Sequence, residues 1–173
     1  MKPNIKKYII TALTLCLIAG ASAGVIGIAH YITAPILESN VDDETTKLLQ
    51  KVFGDNATFS SETQVENQTY LASYWTAKVS GNEVGDVFKT SGSNSYGSIS
   101  MIVGIKIDGS VGKIYLITNT ESYAVYVNQY VAEYNDGTRA LDDVQCGATK
   151  GATLVKNMAV AAQDFYKNRK GLQ

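Results

Sequence analysis

Apolar residues follow three different patterns along this chain. Tyr8 to Leu37 contains no Asp, Glu, Lys or Arg. An uncharged run of this kind exceeds the ~20 residues a helix needs to cross a bilayer. Its apolar core, Tyr8 to Ile32, predicts a transmembrane helix. Ile36, Val41, Leu48, Leu49, Val52 and Phe53 then recur at roughly helical spacing as far as Gly54, which predicts a short helix after the exit sequence Thr33-Ala34-Pro35. Thr58 to Thr69 is polar and reads as loop with a short strand.

From Tyr70 the period shortens toward two. Strands are predicted over Tyr70 to Ser80, Val84 to Thr90, Ser98 to Ile107 and Val111 to Thr118. The third has Ile99, Met101, Val103, Ile105 and Ile107 alternating on one side. Gly81-Asn82 and Asp108-Gly109 are turn signals, and Ser91 to Gly97 reads as a small polar loop. Helical spacing returns from about Glu121 to Tyr134, with Tyr123, Val127, Tyr130 and Tyr134 on one face. An aromatic stripe at this spacing predicts burial. A last helix follows Thr149, marked by Leu154, Met158, Ala162 and Phe165, with Lys167, Arg169 and Lys170 at its end. The expected fold is α+β: an N-terminal transmembrane helix, then an antiparallel-sheet domain closed by a C-terminal helix. The expected divisions are 1–7 cytoplasmic, 8–32 membrane, 33–57 juxtamembrane helix and linker, and 58–173 an extracytoplasmic domain.

Charge sets the orientation. Lys2, Lys6 and Lys7 flank the apolar run on its N-terminal side, so the positive-inside rule places that end in the cytoplasm. Ala21-Ser22-Ala23 has the small-residue pattern of a signal-peptide cleavage site, yet the run continues through Val25, Ile26 and Ile28, which favours an uncleaved anchor. Beyond the lysines the chain holds 12 basic and 16 acidic side chains, an acidic balance that argues against nucleic acid as a partner. Two cysteines and one histidine do not make the usual zinc sites.

The candidate chemistry lies in Asp143-Val144-Gln145-Cys146-Gly147-Ala148-Thr149, just before the last helix. Gly147 permits unusual backbone angles and close approach, and Ala148 adds little bulk. Thr149 would stand at a helix N-terminus, where free N–H groups and the dipole favour a phosphate. Read alone, the stretch is also an ordinary loop ending in a Thr cap. It resembles the flavinylation motif D-x-x-[ST]-G-A-T of the FMN-binding domain family. That resemblance implies FMN held covalently, its phosphate esterified by a flavin transferase to the hydroxyl of Thr149. Asp143 would hold a metal-bound phosphate donor during transfer. Cys146 stands where the motif has Ser or Thr and is expected to be a free thiol. Gly151-Ala152-Thr153 repeats the triplet, but six positions before Thr153 lies Gly147 rather than an acid, so Thr149 is the expected attachment point and Lys150 can pair with the phosphate.

A second stretch, Tyr96-Gly97 followed by Met101-Ile102-Val103-Gly104-Ile105 and Asp108-Gly109, resembles the same family. It implies that Tyr96 and Gly97 contact the flavin. Within that family the chain resembles the G subunit of Rnf electron-transport complexes and the C subunit of the sodium-pumping NADH:quinone reductase. Those subunits follow the second strand with E-T-P-G-L-G, of which only Glu121 is retained. The implied function is electron transfer at the inner membrane through covalent FMN, with other subunits of a membrane complex as partners. A stand-alone extracellular flavoprotein reductase and a non-redox membrane-anchored binding module are the alternatives.

Overall fold

The computed structural model describes residues 8–17, 19, 20, 22 and 45–172, in two compact units, Met1–Thr45 and Thr46–Gln173. In the first unit the described residues are helical. Tyr8, Ile9, Ile10, Leu13, Leu15 and Leu17 are all exposed, between 55% and 70%. Among the described residues no helix is long and apolar enough to cross a membrane. Most of the expected span beyond Ser22, together with Lys2, Lys6, Lys7 and the Thr33-Ala34-Pro35 exit, lies outside the described residues.

The second unit is α+β. Its described part begins with a helix that ends at residue 53 (α1). Then come β1 (Ala57–Phe59), β2 (Thr63–Gln64), β3 (Leu71–Val79), β4 (Asn82–Asn94), β5 (Gly97–Lys106), β6 (Val111–Asn119), α2 (Ala124–Asn135) and α3 (Thr149–Lys170). The strands form one curled antiparallel sheet in the order β1-β3-β4-β5-β6, with β2 paired to β3.

Both faces of the sheet are covered, which explains why β4 and β5 lose strict polar alternation. Phe88, Met101, Val103, Ile105 and Ile114 form one core with Val127, Tyr130, Leu154, Val155, Met158 and Tyr166 from α2 and α3. On the other face Trp75, Val87 and Ile102 pack with Leu49, Val52 and Phe53 of α1. A register shift between Leu71 and Ser73 changes the phase of β3, so that Leu71 and Tyr74 join the first core while Trp75 joins the second. Burying a large side chain such as these contributes ~1.5–3 kcal/mol.

Three local expectations are corrected. Ser91 to Asn94 is not loop: β4 runs on through it, pairing Ser91 with Ser100, Gly92 with Ile99 and Asn94 with Gly97, and leaving only Ser95 and Tyr96 as the turn. Tertiary packing overrides the weak strand propensity of these residues, because the Tyr70 ring and Leu154 lie directly over Gly92, where a Cβ would come within 3.1 Å of each. The helix expected from Glu121 starts at Ala124, with Glu121 to Tyr123 forming the approach. Tyr123 is therefore not on the buried face: it caps α2 and is 51% exposed, whereas Val127 and Tyr130 are fully buried.

Candidate functional site

The turn between β4 and β5 is tied to the segment leading into α2. The Asn94 side chain accepts a hydrogen bond from the Tyr96 backbone N–H at 2.7 Å and donates one to Glu121 Oε1 at 2.5 Å. The Ser122 backbone N–H donates to the Tyr96 carbonyl at 3.0 Å. Gly97 makes this closeness possible: a Cβ there would lie 2.5 Å from the Thr120 carbonyl oxygen and 2.7 Å from Glu121 Cα. Glu121 is held buried at 6% exposure, with its backbone N–H bonded to Asn119 Oδ1 at 3.1 Å.

The loop before α3 is fixed from both helices. Tyr130 Oη donates to the Leu141 carbonyl at 2.5 Å. Arg139 reaches Glu133 at 2.6 Å, the Asp143 carboxylate at 3.0 Å, and the carbonyls of Asp143 and Gln145 at 3.1 and 3.3 Å. Lys156 of α3 pairs with Asp142 at 2.7 Å. Burial pushes the Tyr130 hydroxyl up to about 12, reinforced by the nearby Cys146 thiol. The hydrogen bond from Arg139, then that from Gln129, lowers the Glu133 carboxyl below its ordinary value.

These two segments meet at a pocket of about 200 Å³ lined by Tyr96, Glu121, Tyr123, Gly147, Ala148, Thr149, Lys150 and Gly151. Five of the residues singled out from sequence are thus brought together: Tyr96, Glu121, Gly147, Ala148 and Thr149. Gly97 shapes the wall without lining it. Asp143 and Cys146 stand apart from the pocket: the Asp143 carboxylate is engaged by Arg139, and Cys146, a free thiol, packs against the main core.

Thr149 is the first residue of α3. No side chain caps this end, and the first turn holds no acid. Among the described residues its hydroxyl makes no hydrogen bond, and the residue is exposed, whereas the Thr153 hydroxyl donates to the Thr149 carbonyl at 2.7 Å. Gly147 adopts φ 79° at the turn into the helix, beneath the ring of Tyr126. Gly151 lets the first turn of α3 seat on α2: a Cβ there would lie 2.5 Å from Val127 Cγ2 and 3.3 Å from Glu121 Cδ. The repeated triplet thereby acquires a packing reason. An anion at the mouth would meet free helix N–H groups and Lys150, while the buried Glu121 carboxylate keeps negative charge off the floor.

Sequence reasoning missed Tyr123, Asn94 and Arg139 as parts of this site. Tyr123 was assigned to the core by its spacing, Asn94 meets Glu121 27 residues along the chain, and Arg139, only four to six residues from its partners, lies in a loop with no periodicity to mark it. A larger cleft of about 640 Å³ lies at the other end of β5, lined by Val52, Phe53, Lys106, Ile107, Val111 and Lys113 among others. It contains neither a helix N-terminus nor the motif residues, so its size does not outweigh the chemistry at Thr149. No protein-family model matches the chain, and no curated protein matches it. The chemistry of the site therefore rests on its geometry.

Proposed function

We propose that this protein is a membrane-anchored electron-transfer flavoprotein carrying FMN as a phosphoester on Thr149, a subunit of an Rnf-like ion-translocating complex. The observation that carries the reading is the state of the Thr149 side chain. It is an exposed hydroxyl, without a hydrogen bond among the described residues, on the first residue of an uncapped helix, beside a pocket lined by Tyr96, Glu121, Gly147 and Ala148 of the residues the resemblance implicates. The helix N-terminus and Lys150 would hold a phosphate at the mouth, away from the buried Glu121 carboxylate that lines the same pocket. The flavin would supply the redox chemistry, while the chain supplies attachment, position and field. A covalent link suits a site outside the cytoplasm, where a dissociated cofactor is lost by dilution. The uncharged run Tyr8 to Ile32 and the exposed apolar side chains of its described helical residues support the anchor.

Coexpression with a flavin transferase tests attachment. The intact mass should rise by one esterified FMN, peptide mapping should place it on Thr149, and Thr149→Ala should abolish it while Thr153→Ala retains it. An unmodified chain, or FMN on Thr153, would refute the assignment.

A further inference from the structure

The pocket at Thr149 measures about 200 Å³, below the ~300–1,000 Å³ of sites that enclose a drug-sized ligand. A flavin tethered there cannot be swallowed whole. Its ring system has to lie against whatever surface borders the mouth, and two tyrosines do so. Tyr96 and Tyr123 both line the pocket, and they are 41% and 51% exposed. Their ring centroids are 5.9 Å apart at an interplanar angle of 69°, an edge-to-face pair. Among the described residues neither hydroxyl has a hydrogen-bond partner, so neither ring is placed by its polar end. Lys150 Nζ sits 5.1 Å from the Tyr96 centroid and 3.5 Å from Ser95 Oγ.

The two rings are not equivalent. Tyr96 is in a turn pinned through its backbone by Asn94 and Ser122, and Lys150 covers one of its faces. Among the described residues the aromatic contact of Tyr123 is with Tyr96. An edge-to-face contact engages at most one face of a ring, and Tyr123, 51% exposed, presents surface beside the pocket. A flat, electron-poor heteroaromatic ring is the ligand such a surface takes, by offset stacking. We propose that Tyr123 is the stacking platform for the isoalloxazine ring of a flavin carried on Thr149, with Tyr96 and Lys150 holding the platform in position. The inference rests on the attachment reading and goes beyond it by assigning where the ring lies.

The arrangement has an optical signature. A phenol in contact with an excited flavin passes it an electron, and the electron returns without emission. No net chemistry occurs, but the fluorescence is lost. The experiment uses the full chain coexpressed with a flavin transferase, as wild type, Tyr123→Leu and Tyr123→Trp. Intact mass is read first, so that attachment is scored by itself. Flavin fluorescence is then compared in the folded protein and in concentrated guanidinium, which separates ring from platform but leaves the ester. Wild type should brighten severalfold on unfolding. Folded Tyr123→Leu, equally loaded, should already be bright, and Tyr123→Trp should stay dark. Loaded wild type that is equally bright before and after unfolding, or loaded Tyr123→Leu as dark as wild type, would overturn the platform and leave the attachment standing. Wild type without flavin mass would overturn the attachment, and the platform with it.

Discussion

Tyr130→Phe probes whether the motif loop is rigidly held. The ring of Tyr130 is fully buried between the sheet and α3, and its hydroxyl donates to the Leu141 carbonyl at 2.5 Å. Phe keeps the ring, so the packing of Val127, Val155 and their neighbours is unchanged and only the hydrogen bond is lost. Such a bond contributes ~0.5–1.5 kcal/mol, and a carbonyl left unpaired adds a desolvation cost of ~1–3 kcal/mol if it stays dry. Leu141 is only partly buried, so water can reach its carbonyl. We expect a destabilisation near ~1 kcal/mol. For a unit the length of Thr46–Gln173, that lowers Tm by roughly 3–6 °C.

Two further readouts distinguish this mechanism from generic destabilisation. Amide exchange should accelerate across Leu141 to Ala148 more than in β4 or β5, because the loop loses its anchor to α2. The pH profile supplies the other. Burial holds the folded Tyr130 hydroxyl at about 12, above its ordinary 10.0. A group whose folded pKa is raised contributes fully below its unfolded pKa and loses that contribution as pH rises through the folded one. Wild type should therefore lose stability between pH 10 and about 12 to a greater extent than Tyr130→Phe, which has no proton there to release. Unchanged Tm and unchanged loop exchange in Tyr130→Phe would refute the claim that this bond holds the loop.

Gly97→Ala should cost ~1–3 kcal/mol, because its Cβ meets backbone that cannot step aside; Glu121 would be displaced, so flavin loading should fall along with Tm, and full loading at unchanged Tm would contradict the contact. Arg169→Met should cost ~3–5 kcal/mol by leaving the fully buried Asp86 carboxylate without its partner. Pairing it with Asp86→Leu should restore most of the loss in a denaturant melt, and a double variant weaker than Arg169→Met would contradict this account.

How much was legible in the sequence depended on whether a residue's partner was local. Ile99, Met101, Val103 and Ile105 alternate and are buried on the face covered by α2 and α3, whereas Ile107, expected to continue the row, lies beyond the end of β5 and is 53% exposed. Leu154, Met158 and Ala162 keep helical spacing and are buried in α3. Elsewhere the pattern misled, because the deciding contact came from far away. Ser91 to Asn94 looks like loop until Tyr70 and Leu154 cover Gly92. Tyr123 fits the apolar face of a helix in register, but α2 begins after it, and the residue that spacing assigned to the core ends up at the pocket mouth. Several residues that line the pocket were singled out through resemblance to a motif, not through periodicity.

The same geometry gives one residue of that motif a bonded partner. An acid six residues before the acceptor Thr was expected to serve the transfer chemistry, yet the Asp143 carboxylate is bonded to Arg139, which also binds the carbonyls of Asp143 and Gln145. Asp143 thereby orients the backbone that delivers Thr149, and Arg139, itself outside the motif, completes the brace. The departure at Cys146 becomes intelligible on the same grounds. Its thiol packs against the core near Tyr130 and takes no place in the pocket lining. A thiol is a small, weakly polar group suited to that apolar setting. Exchanging it for the usual hydroxyl changes the packing behind the loop and leaves the surface in front of Thr149 as it is. On the proposed reading a modifying enzyme needs a nucleophile that is exposed and held in one place, and the loop is tethered to two helices while the Thr149 hydroxyl has no hydrogen bond among the described residues.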